Sequence, residues 1–408
     1  MKVQKRVLGG ALLISGTTIG AAMLVMPVVT GLSGFWPTLC LFLIYWCYMT
    51  FTAFLILELN LWLGEEISLV TMAKETLGKV GEAVAWITVL FLLYTLTTAY
   101  LAGGGRLVVS CVAKLMGVTI PNWVGSVPLL LIFGFFVFEG TKYVDILNRF
   151  LMLGLVIAYG AMVIFLTPHI EVSNLSYTDW NNPLLAVSLL ATSFGYHVII
   201  PSLTTYMHHD ARKLTKAILI GSIIPLVVYI LWEAITLGVI PLTGDNSIVE
   251  GYKEGASAVE LFSGAAGNGW VTLIAQFFSF FAIITSFLGV TLSLSDFLAD
   301  GFHIKKTLSG RVILFTLTFM PPLVFILTNP RAFINALELA GAFGVVILLG
   351  LLPPVMVWSA RYWKKVKSPI TIPGGKPVLL AAILFSVAVV GVEIANKLGL
   401  LESLLIKL

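Results

Sequence analysis

The sequence GTTIGAAMLVMP occupies residues 16–27, inside the first long apolar segment of the chain. Two glycines, two threonines and a proline stand there, where a membrane-spanning helix would ordinarily carry leucine-like residues. In lipid, every backbone N–H and C=O group must be bonded within the protein, so unwound backbone is tolerated only where it lines a cavity or meets a ligand. The stretch therefore predicts a broken helix beside a site, provided that the chain lies in a membrane.

The composition indicates a membrane protein. Of the 408 residues, 59% are hydrophobic and only 11% are charged, whereas soluble domains carry about 25% charged residues. A soluble core of this size would need a polar surface that these residues cannot supply. We predict an all-α integral membrane protein, because the apolar runs are too long for the strands of a membrane barrel.

Apolar runs of about 20 residues predict the membrane spans. We place eleven transmembrane helices, numbered as spans 1–11, at residues 8–33, 35–63, 83–113, 123–140, 149–167, 183–206, 214–241, 268–299, 310–328, 332–358 and 377–400. The first span is too long for a cleaved signal peptide, and another span follows it at once. Residues 64–82 are expected to form a short amphipathic helix, and residues 242–267 a partly helical loop.

The charges of the loops predict the orientation of the spans. Eighteen of the 24 Lys and Arg residues fall on the side of the N-terminus and five on the other side, with Arg106 inside a span. Cytoplasmic loops carry such an excess of basic residues. We therefore expect a multi-pass membrane protein with the N-terminus in the cytoplasm and the C-terminus on the opposite side. The net charge of +4 reflects this topology and indicates no nucleic-acid partner.

A second stretch in span 6 resembles the first one. TSFGYHVIIPS, residues 192–202, also places small polar residues and a glycine near mid-membrane, before an apolar run and a proline. The two spans are five apart, an odd number, so they enter the membrane from opposite sides. We predict a 5+5 inverted repeat, residues 8–167 and 183–358, with residues 377–400 as an extra helix of the same transmembrane domain.

Paired broken helices at corresponding positions point to the substrate site of a transporter, although glycines also serve close helix packing. N–H groups at the positive ends of half-helices attract anions, and freed carbonyls attract cations. A zwitterionic amino acid satisfies both, and aromatic residues at the same depth favour a bulky side chain. The predicted substrate-binding residues are Gly16, Thr17, Thr18, Ile19, Gly20, Ala21, Met23, Tyr100, Ser193, Phe194, Gly195, Tyr196 and His197.

Polar groups at membrane depth are candidates for ion coupling. His197 adjoins the second break and is able to titrate. Thr285 and Ser286 are the mid-depth hydroxyls of span 8 and would form a small cation site with Thr18, unless each hydroxyl bonds its own i−4 carbonyl. For the other charged groups within spans, a structural salt bridge is the alternative to a role in transport; these are Glu58, Arg106, Glu233 and Glu338.

Signatures of enzymes are missing from the sequence. It contains no HExxH, no G-x-S-x-G and no P-loop, and its three cysteines lack the spacing of metal ligands. We therefore predict no catalytic residue, no metal and no cofactor. A channel would show rings of like charge or filter segments, and none is present.

The two broken stretches resemble those of the bacterial aromatic amino-acid permeases, the tyrosine- and tryptophan-specific transport proteins. The segments DILNRF (145–150) and FLADGF (297–302) also fall where that family has similar sequence. The resemblance extends over essentially the whole chain. It implies the LeuT-type inverted-repeat fold of the amino-acid/polyamine/organocation superfamily and proton-coupled uptake of an aromatic amino acid. It also implies a place in the bacterial cytoplasmic (inner) membrane, with the C-terminus in the periplasm. It also implies that residues 16–21 and 193–197 bind the substrate.

One departure concerns the coupling ion. Some relatives in the wider superfamily place a lysine in span 5, and span 5 of this chain has none. If a proton drives transport, His197 or a carboxylate must carry it.

Together these expectations describe a secondary active transporter in the lipid bilayer. It would import an aromatic L-amino acid, tyrosine before others, by proton symport, with sodium as the less favoured ion. Substrate would bind between spans 1, 3, 6 and 8, while spans 1, 2, 6 and 7 rock against spans 3, 4, 8 and 9. The alternatives are a tryptophan or serine permease of the same fold and, from another class, a non-transporting sensor or channel. A monomer is the expectation, with the oligomeric state left open.

Overall fold

The fold is seen in a computed structural model that describes residues 2–64, 67–118, 120–265, 269–366 and 368–400. Its α-helices are α1 (Lys2–Thr18), α2 (Ala22–Thr30), α3 (Phe35–Leu63), α4 (Leu69–Met116), α5 (Asn122–Glu139), α6 (Thr141–Leu166), α7 (Val187–Ser193), α8 (Ile200–Tyr206), α9 (Ala211–Val239), α10 (Ile248–Glu254), α11 (Ala258–Ala265), α12 (Gly269–Gly301), α13 (Leu308–Thr328), α14 (Ala332–Leu339), α15 (Leu352–Trp358) and α16 (Gly375–Lys397). Wider π-type turns connect α14 to α15 over Ala340–Leu351. The prediction of an all-helical, multi-pass membrane protein is confirmed.

The number of spans depends on how the first helix pair is counted. Within the described ranges, ten helical segments are long and apolar enough to cross a membrane, and they become eleven if Arg6–Thr18 and Ala22–Thr30 form one bent span. The predicted boundaries hold to within a few residues for most spans. The fifth begins eight residues early, because α6 starts at Thr141 and includes the polar turn before residue 149.

In the segment between the second and third spans, the expected helix is seen from Leu69 onward, and residues 65 and 66 lie outside the described residues. Ser68 caps α4 by accepting the N–H of Thr71 at 3.2 Å, and the first turns of α4 then run to a kink at Gly78. Gly78 has φ +70° and ψ −157°, a conformation that a residue with a Cβ adopts only with strain. The amphipathic helix and the third span are therefore two parts of α4, separated by this glycine.

The face at which α1 begins, here called the N-terminal face, also carries the end of α8 and the start of α9. A Cβ at Gly9 would lie 3.3 Å from the Tyr206 hydroxyl, so the two half-helices approach each other there. Asp210 caps α9 by accepting the N–H of Lys213 at 3.1 Å, and its carboxylate lies 2.6 Å from the Lys213 ammonium. These bonds to Lys213 hold the pKa of Asp210 below its usual value.

The opposite face is covered by loops that pack on the end of α2. The predicted partly helical loop, residues 242–267, contains α10 and α11. Another loop approaches the chain after α2: the N–H of Asp179 donates to the carbonyl of Ser33 at 2.8 Å. Gly34 has φ +84°, and a Cβ there would lie 2.1 Å from the Tyr177 carbonyl oxygen. Only glycine fits this turn, which brings the loop against the end of the first span.

Glycines of the tenth span lie where other helices cross it. A Cβ at Gly341 would lie 1.7 Å from the Ser188 carbonyl of α7, and a Cβ at Gly350 would lie 2.3 Å from the Tyr48 hydroxyl of α3. The Thr192 hydroxyl of α7 also donates to the Leu337 carbonyl at 3.0 Å. Small residues let helix backbones approach closely in a bilayer, so the tenth span and α7 form one tightly packed unit.

The charged groups at the ends of the spans are paired. Glu58 accepts Arg361 Nε at 2.7 Å and the N–H of Ile372 at 2.8 Å. Similar pairs join Arg106 to Glu260 at 2.9 Å and Glu338 to Lys397 at 2.8 Å. For these groups the salt-bridge alternative is therefore the one observed.

The pair of Glu58 and Arg361 provides a test of the packing on the N-terminal face. Arg361→Met leaves the 5% exposed carboxylate of Glu58 without its cation. Breaking a buried pair from one side costs about 3–5 kcal/mol, whereas replacing both charges with apolar groups is often neutral. We expect a large drop in the thermal unfolding midpoint of the purified protein in detergent. The double variant Glu58→Met/Arg361→Met should recover most of it; a single variant as stable as the wild type would contradict this assignment.

Candidate functional site

The first break separates α1 from α2 and bends the chain by 61°. The N–H of Ile19 still bonds the Ser15 carbonyl at 2.8 Å, and the helical pattern resumes when the N–H of Met23 bonds the Gly20 carbonyl at 3.2 Å. Between these bonds, the N–H groups of Gly20 and Ala22 have no acceptor among the described residues. The predicted break is confirmed, and it leaves backbone donors at the first turn of α2.

The second break interrupts the sixth span after Ser193, the last residue of α7. A single turn over His197–Ile199 then leads into α8. The N–H of Gly195 bonds the Thr192 carbonyl at a long 3.4 Å. The N–H groups of Tyr196 and His197 have no acceptor in the part of the chain that the structure describes. This break is also confirmed, and it has the same polarity as the first.

One tyrosine brings the two breaks together. The Tyr229 hydroxyl of α9 lies 2.7 Å from the Thr18 carbonyl oxygen and 2.9 Å from the Ser193 carbonyl oxygen. These carbonyls are the last ones of α1 and α7, the ends at which the helix dipole is negative. The hydroxyl has one hydrogen for two acceptors, so the two carbonyls share one donor.

The sequence analysis missed this tyrosine and its neighbour Trp232, whose indole N–H donates to the Met23 carbonyl at 2.8 Å. A signal was present in the sequence. Tyr229, Trp232, Glu233 and Thr236 recur at i, i+3, i+4 and i+7 along an otherwise aliphatic helix. This spacing places them on one side of α9, and the structure buries all four side chains.

The predicted aromatic residues surround the breaks but are covered by neighbouring side chains. Phe194 packs edge-on against Phe42, with ring centroids 6.2 Å apart, and against Tyr229 at 5.4 Å. The Tyr196 hydroxyl donates to the Thr50 hydroxyl at 3.3 Å. Tyr100 is buried. All three rings are therefore covered by protein in this conformation.

The three hydroxyls proposed for a cation site, those of Thr18, Thr285 and Ser286, have different kinds of hydrogen-bond partner. The Thr18 hydroxyl donates to the Ile14 carbonyl at 2.7 Å, and the Thr285 hydroxyl to the Phe281 carbonyl at 2.8 Å. Both thus follow the i−4 alternative. Ser286 instead reaches the first break, where it accepts the N–H of Ala21 at 3.3 Å.

His197 is fully buried beside the second break. Its Nε2 lies 2.8 Å from the Thr52 hydroxyl, and its Nδ1 has no partner within the described residues. Thr52 and Thr50 both belong to α3, so the second span contacts this break directly. The sequence analysis placed the site between spans 1, 3, 6 and 8 and did not include this contribution.

The other predicted residues are divided between the interior and the surface. Gly16 and Thr17 are exposed on α1, whereas Ala21, Met23 and Ser193 are buried. Ile19, Gly20 and Gly195 are partly exposed. A Cβ at Gly20 would lie 3.1 Å from the Ser286 hydroxyl, and one at Gly195 would lie 3.3 Å from Val345 Cγ1. Both glycines therefore stand where little room remains for a side chain.

A cavity of about 920 Å³ leads from the N-terminal face toward the second break. Its walls are α8 on one side and the ends of α4 and α12 on the other, with Pro201, Trp86 and Asp300 among the lining residues. Val198, one residue after His197, lines it and is 51% exposed. All residues of α2, on the other side of the breaks, are buried. The molecule is open on its N-terminal face and closed over α2.

Comparison with known proteins places this site in a family context. Residues 3–393 match the tryptophan/tyrosine permease family. The chain is 35% identical to tyrosine-specific transport system 1 of Haemophilus influenzae, over 97% of this chain and 98% of that protein. It is 33% identical to the tryptophan-specific transport protein of Pseudomonas aeruginosa (93% and 92% covered) and 32% identical to tyrosine-specific transport system 2 of Haemophilus influenzae (98% of each).

The shared donor at Tyr229 can be tested by removing its hydroxyl. Tyr229→Phe leaves two buried carbonyls without that donor, and an unsatisfied buried group costs about 1–3 kcal/mol. We expect a lower thermal unfolding midpoint in detergent. Tyr159→Phe is the matched control, because the Tyr159 hydroxyl donates only to a helical carbonyl, that of Val228, at 3.2 Å. Equal midpoints for the two variants would contradict a special role of Tyr229.

Proposed function

Because the chain belongs to the tryptophan/tyrosine permease family, a family of transport proteins and not of enzymes, we propose that it imports an aromatic L-amino acid as a secondary active transporter. The leading substrate is tyrosine, and the proposed driving ion is the proton. Tryptophan is the main alternative, since relatives of similar identity are named for either amino acid. The polarity of the two helix breaks is the observation that carries the proposal.

The breaks offer complementary groups to a zwitterion. Free N–H groups of Gly20, Ala22, Tyr196 and His197 lie at the positive ends of half-helices, where a carboxylate is stabilised. The carbonyls of Thr18 and Ser193 share one donor between them, so an ammonium group would supply the missing hydrogen bonds. An α-amino acid carries both charges on one carbon, which suits two breaks held together by Tyr229.

The side chain of the substrate would lie among aromatic residues. Phe194, Tyr196 and Tyr100 surround the breaks, and edge-on contact with a further ring is favourable. The Thr50 hydroxyl, which accepts from Tyr196, and the Ser286 hydroxyl, which accepts the N–H of Ala21 at the first break, are polar groups beside this region. A site built to bond a phenol rejects a substrate lacking that hydroxyl far better than an apolar pocket does, and this favours tyrosine over phenylalanine.

The cavity supports alternating access. On one side of the cavity lies α8, which is part of span 6 and so of the group of spans 1, 2, 6 and 7. On the other side lie α4 and α12, which form spans 3 and 8 and so belong to the group of spans 3, 4, 8 and 9. A cavity along this boundary is what rocking of one group against the other would open. With the N-terminus in the cytoplasm, as the basic loops favour, the conformation is inward-open. The proposed fold is the LeuT-type inverted repeat, with the two broken spans at corresponding positions.

Uptake into proteoliposomes tests the proposed function. Labelled tyrosine, tryptophan, phenylalanine and serine are offered under an imposed inward gradient of protons or of sodium. We expect tyrosine to accumulate under the proton gradient. Uptake driven by sodium alone would overturn the coupling ion, and preferred uptake of tryptophan or serine would overturn the substrate. If no amino acid enters or competes, the chain is a sensor or another non-transporting protein.

Two glycine variants test the site itself. Gly20→Leu and Gly195→Leu place a bulky side chain against Ser286 and Val345, respectively, where even a Cβ would lie only 3.1 or 3.3 Å from its neighbour. We expect uptake to fall to background while the protein still elutes as a monodisperse species. Gly289→Leu is the control, because a Cβ at this glycine of α12 meets nothing within 4 Å. Normal transport by both site variants would show that substrate does not bind at the breaks.

A further inference from the structure

Glu233 is a buried acid without a cation. It lies in α9 and is 0% exposed, and none of the ion pairs in the described part of the chain includes it. Its Oε1 lies 2.6 Å from the Thr30 hydroxyl, and its Oε2 has no hydrogen-bond partner. Burying an ionised, unpaired carboxylate in a membrane protein is very costly. The other buried acids of the described residues, Glu58, Glu338 and Glu393, each have a basic partner.

The hydrogen bonds around Thr30 identify the protonation state that fits this geometry. The Thr30 hydroxyl oxygen lies 2.7 Å from the Met26 carbonyl oxygen as well as 2.6 Å from Glu233 Oε1. A hydroxyl has one hydrogen, and a carbonyl is only an acceptor. When Thr30 donates to Met26, its short contact with Glu233 needs a hydrogen from the carboxyl group. With a neutral Glu233, each of the two short contacts of the Thr30 hydroxyl has a hydrogen; with an ionised Glu233, only one of them does.

The elements packed around this part of α9 supply no compensating charge. Helix α2 has no ionisable residue. On α6, the Tyr159 hydroxyl donates to the Val228 carbonyl. On α11, Glu260 is paired with Arg106. His169, after α6, is exposed and has its Nδ1 3.0 Å from the Phe165 carbonyl oxygen. On α9 itself, Tyr229 is directed to the carbonyls of the breaks.

The position of Glu233 links it to the breaks through α2. Trp232, the preceding residue, donates to the Met23 carbonyl in the first turn of α2, and Glu233 contacts Thr30 in the last. A Cβ at Gly31 would lie 2.6 Å from Leu237 Cδ2, so α9 follows α2 to its end. Helix α2 begins at Ala22, whose backbone N–H is one of the free donors of the proposed site. Movement of α2 away from α9 would therefore move the substrate site.

We propose that Glu233 binds the coupling proton, and that its neutral form holds α2 against α9. This inference rests on the proposed proton symport. An ionised Glu233 requires water, which reaches it only when α2 and α9 separate. The side of the molecule opposite the N-terminal face therefore closes over the substrate only after Glu233 has taken up a proton. Proton and substrate are thereby carried together.

Glu233→Gln tests the proposal because the amide keeps the size of the neutral acid and does not titrate. In proteoliposomes, two assays are compared: accumulation of labelled tyrosine under an inward proton gradient, and exchange of labelled for unlabelled tyrosine without a gradient. We expect Glu233→Gln to lose accumulation down to the level without a gradient and to keep exchange. Glu338→Gln is the matched control, a buried acid paired with Lys397, and should keep both.

The outcomes separate the two proposals. If the wild type does not accumulate tyrosine under a proton gradient but does so under sodium, proton symport fails, whatever the variant does. If the wild type accumulates and Glu233→Gln accumulates equally, Glu233 is not the proton site. Loss of both assays in a monodisperse Glu233→Gln protein also contradicts the proposal. If that variant does not fold, Glu233→Asp is measured instead and must shift the pH dependence of accumulation; an unchanged profile overturns the assignment.

Discussion

The bond from the Tyr229 hydroxyl to the ends of two broken helices is the contact on which the centre of this molecule depends. In a bilayer an unwound backbone has no water to bond, and each unsatisfied group costs several kcal/mol. Interrupting two helices at the same place concentrates this problem. Helix α9 places one hydroxyl at these helix ends, and its oxygen lies within 2.9 Å of both terminal carbonyl oxygens. The N–H groups on the other side of each break have no acceptor among the described residues.

Contacts from three other helices hold the two breaks in position. Trp232 bonds the first turn of α2, Ser286 accepts the N–H of Ala21, and the threonines of α3 bond Tyr196 and His197. Each of these contacts comes from a helix that is continuous through the membrane. Unbroken helices thus hold the interrupted segments of the first and sixth spans in position.

Much of the fold could be predicted from the sequence because a bilayer requires long apolar helices whose backbone groups bond within the protein. Long apolar runs, basic loops and the two glycine-broken stretches predicted the multi-pass helices and both breaks. The partners of the breaks could not be found in the same way. Tyr229 and Trp232 belong to a span that has no break, and aromatic residues in a span usually serve packing. Their roles depend on which face of α9 meets α1 and α7, and a single sequence gives no contact between distant segments.

Local hydrogen bonds are easier to predict from a sequence. The Thr18 and Thr285 hydroxyls bond the i−4 carbonyls of their own helices, which the sequence analysis had named as the alternative to a cation site.

The close packing of α7 has a mechanical consequence. Its backbone meets Gly341 at Ser188, its Thr192 bonds the Leu337 carbonyl, and the Ser188 hydroxyl bonds Glu393 of α16 at 2.7 Å. Beyond the break, Val198 and then Ser202 and Thr205 of α8 are exposed at the cavity. The two halves of the sixth span are therefore packed unequally: hydrogen bonds and close glycine contacts hold α7, whereas one face of α8 borders the cavity. A change in the shape of this cavity would involve α8 and the unwound residues, and would leave the bond between Tyr229 and the Ser193 carbonyl in place.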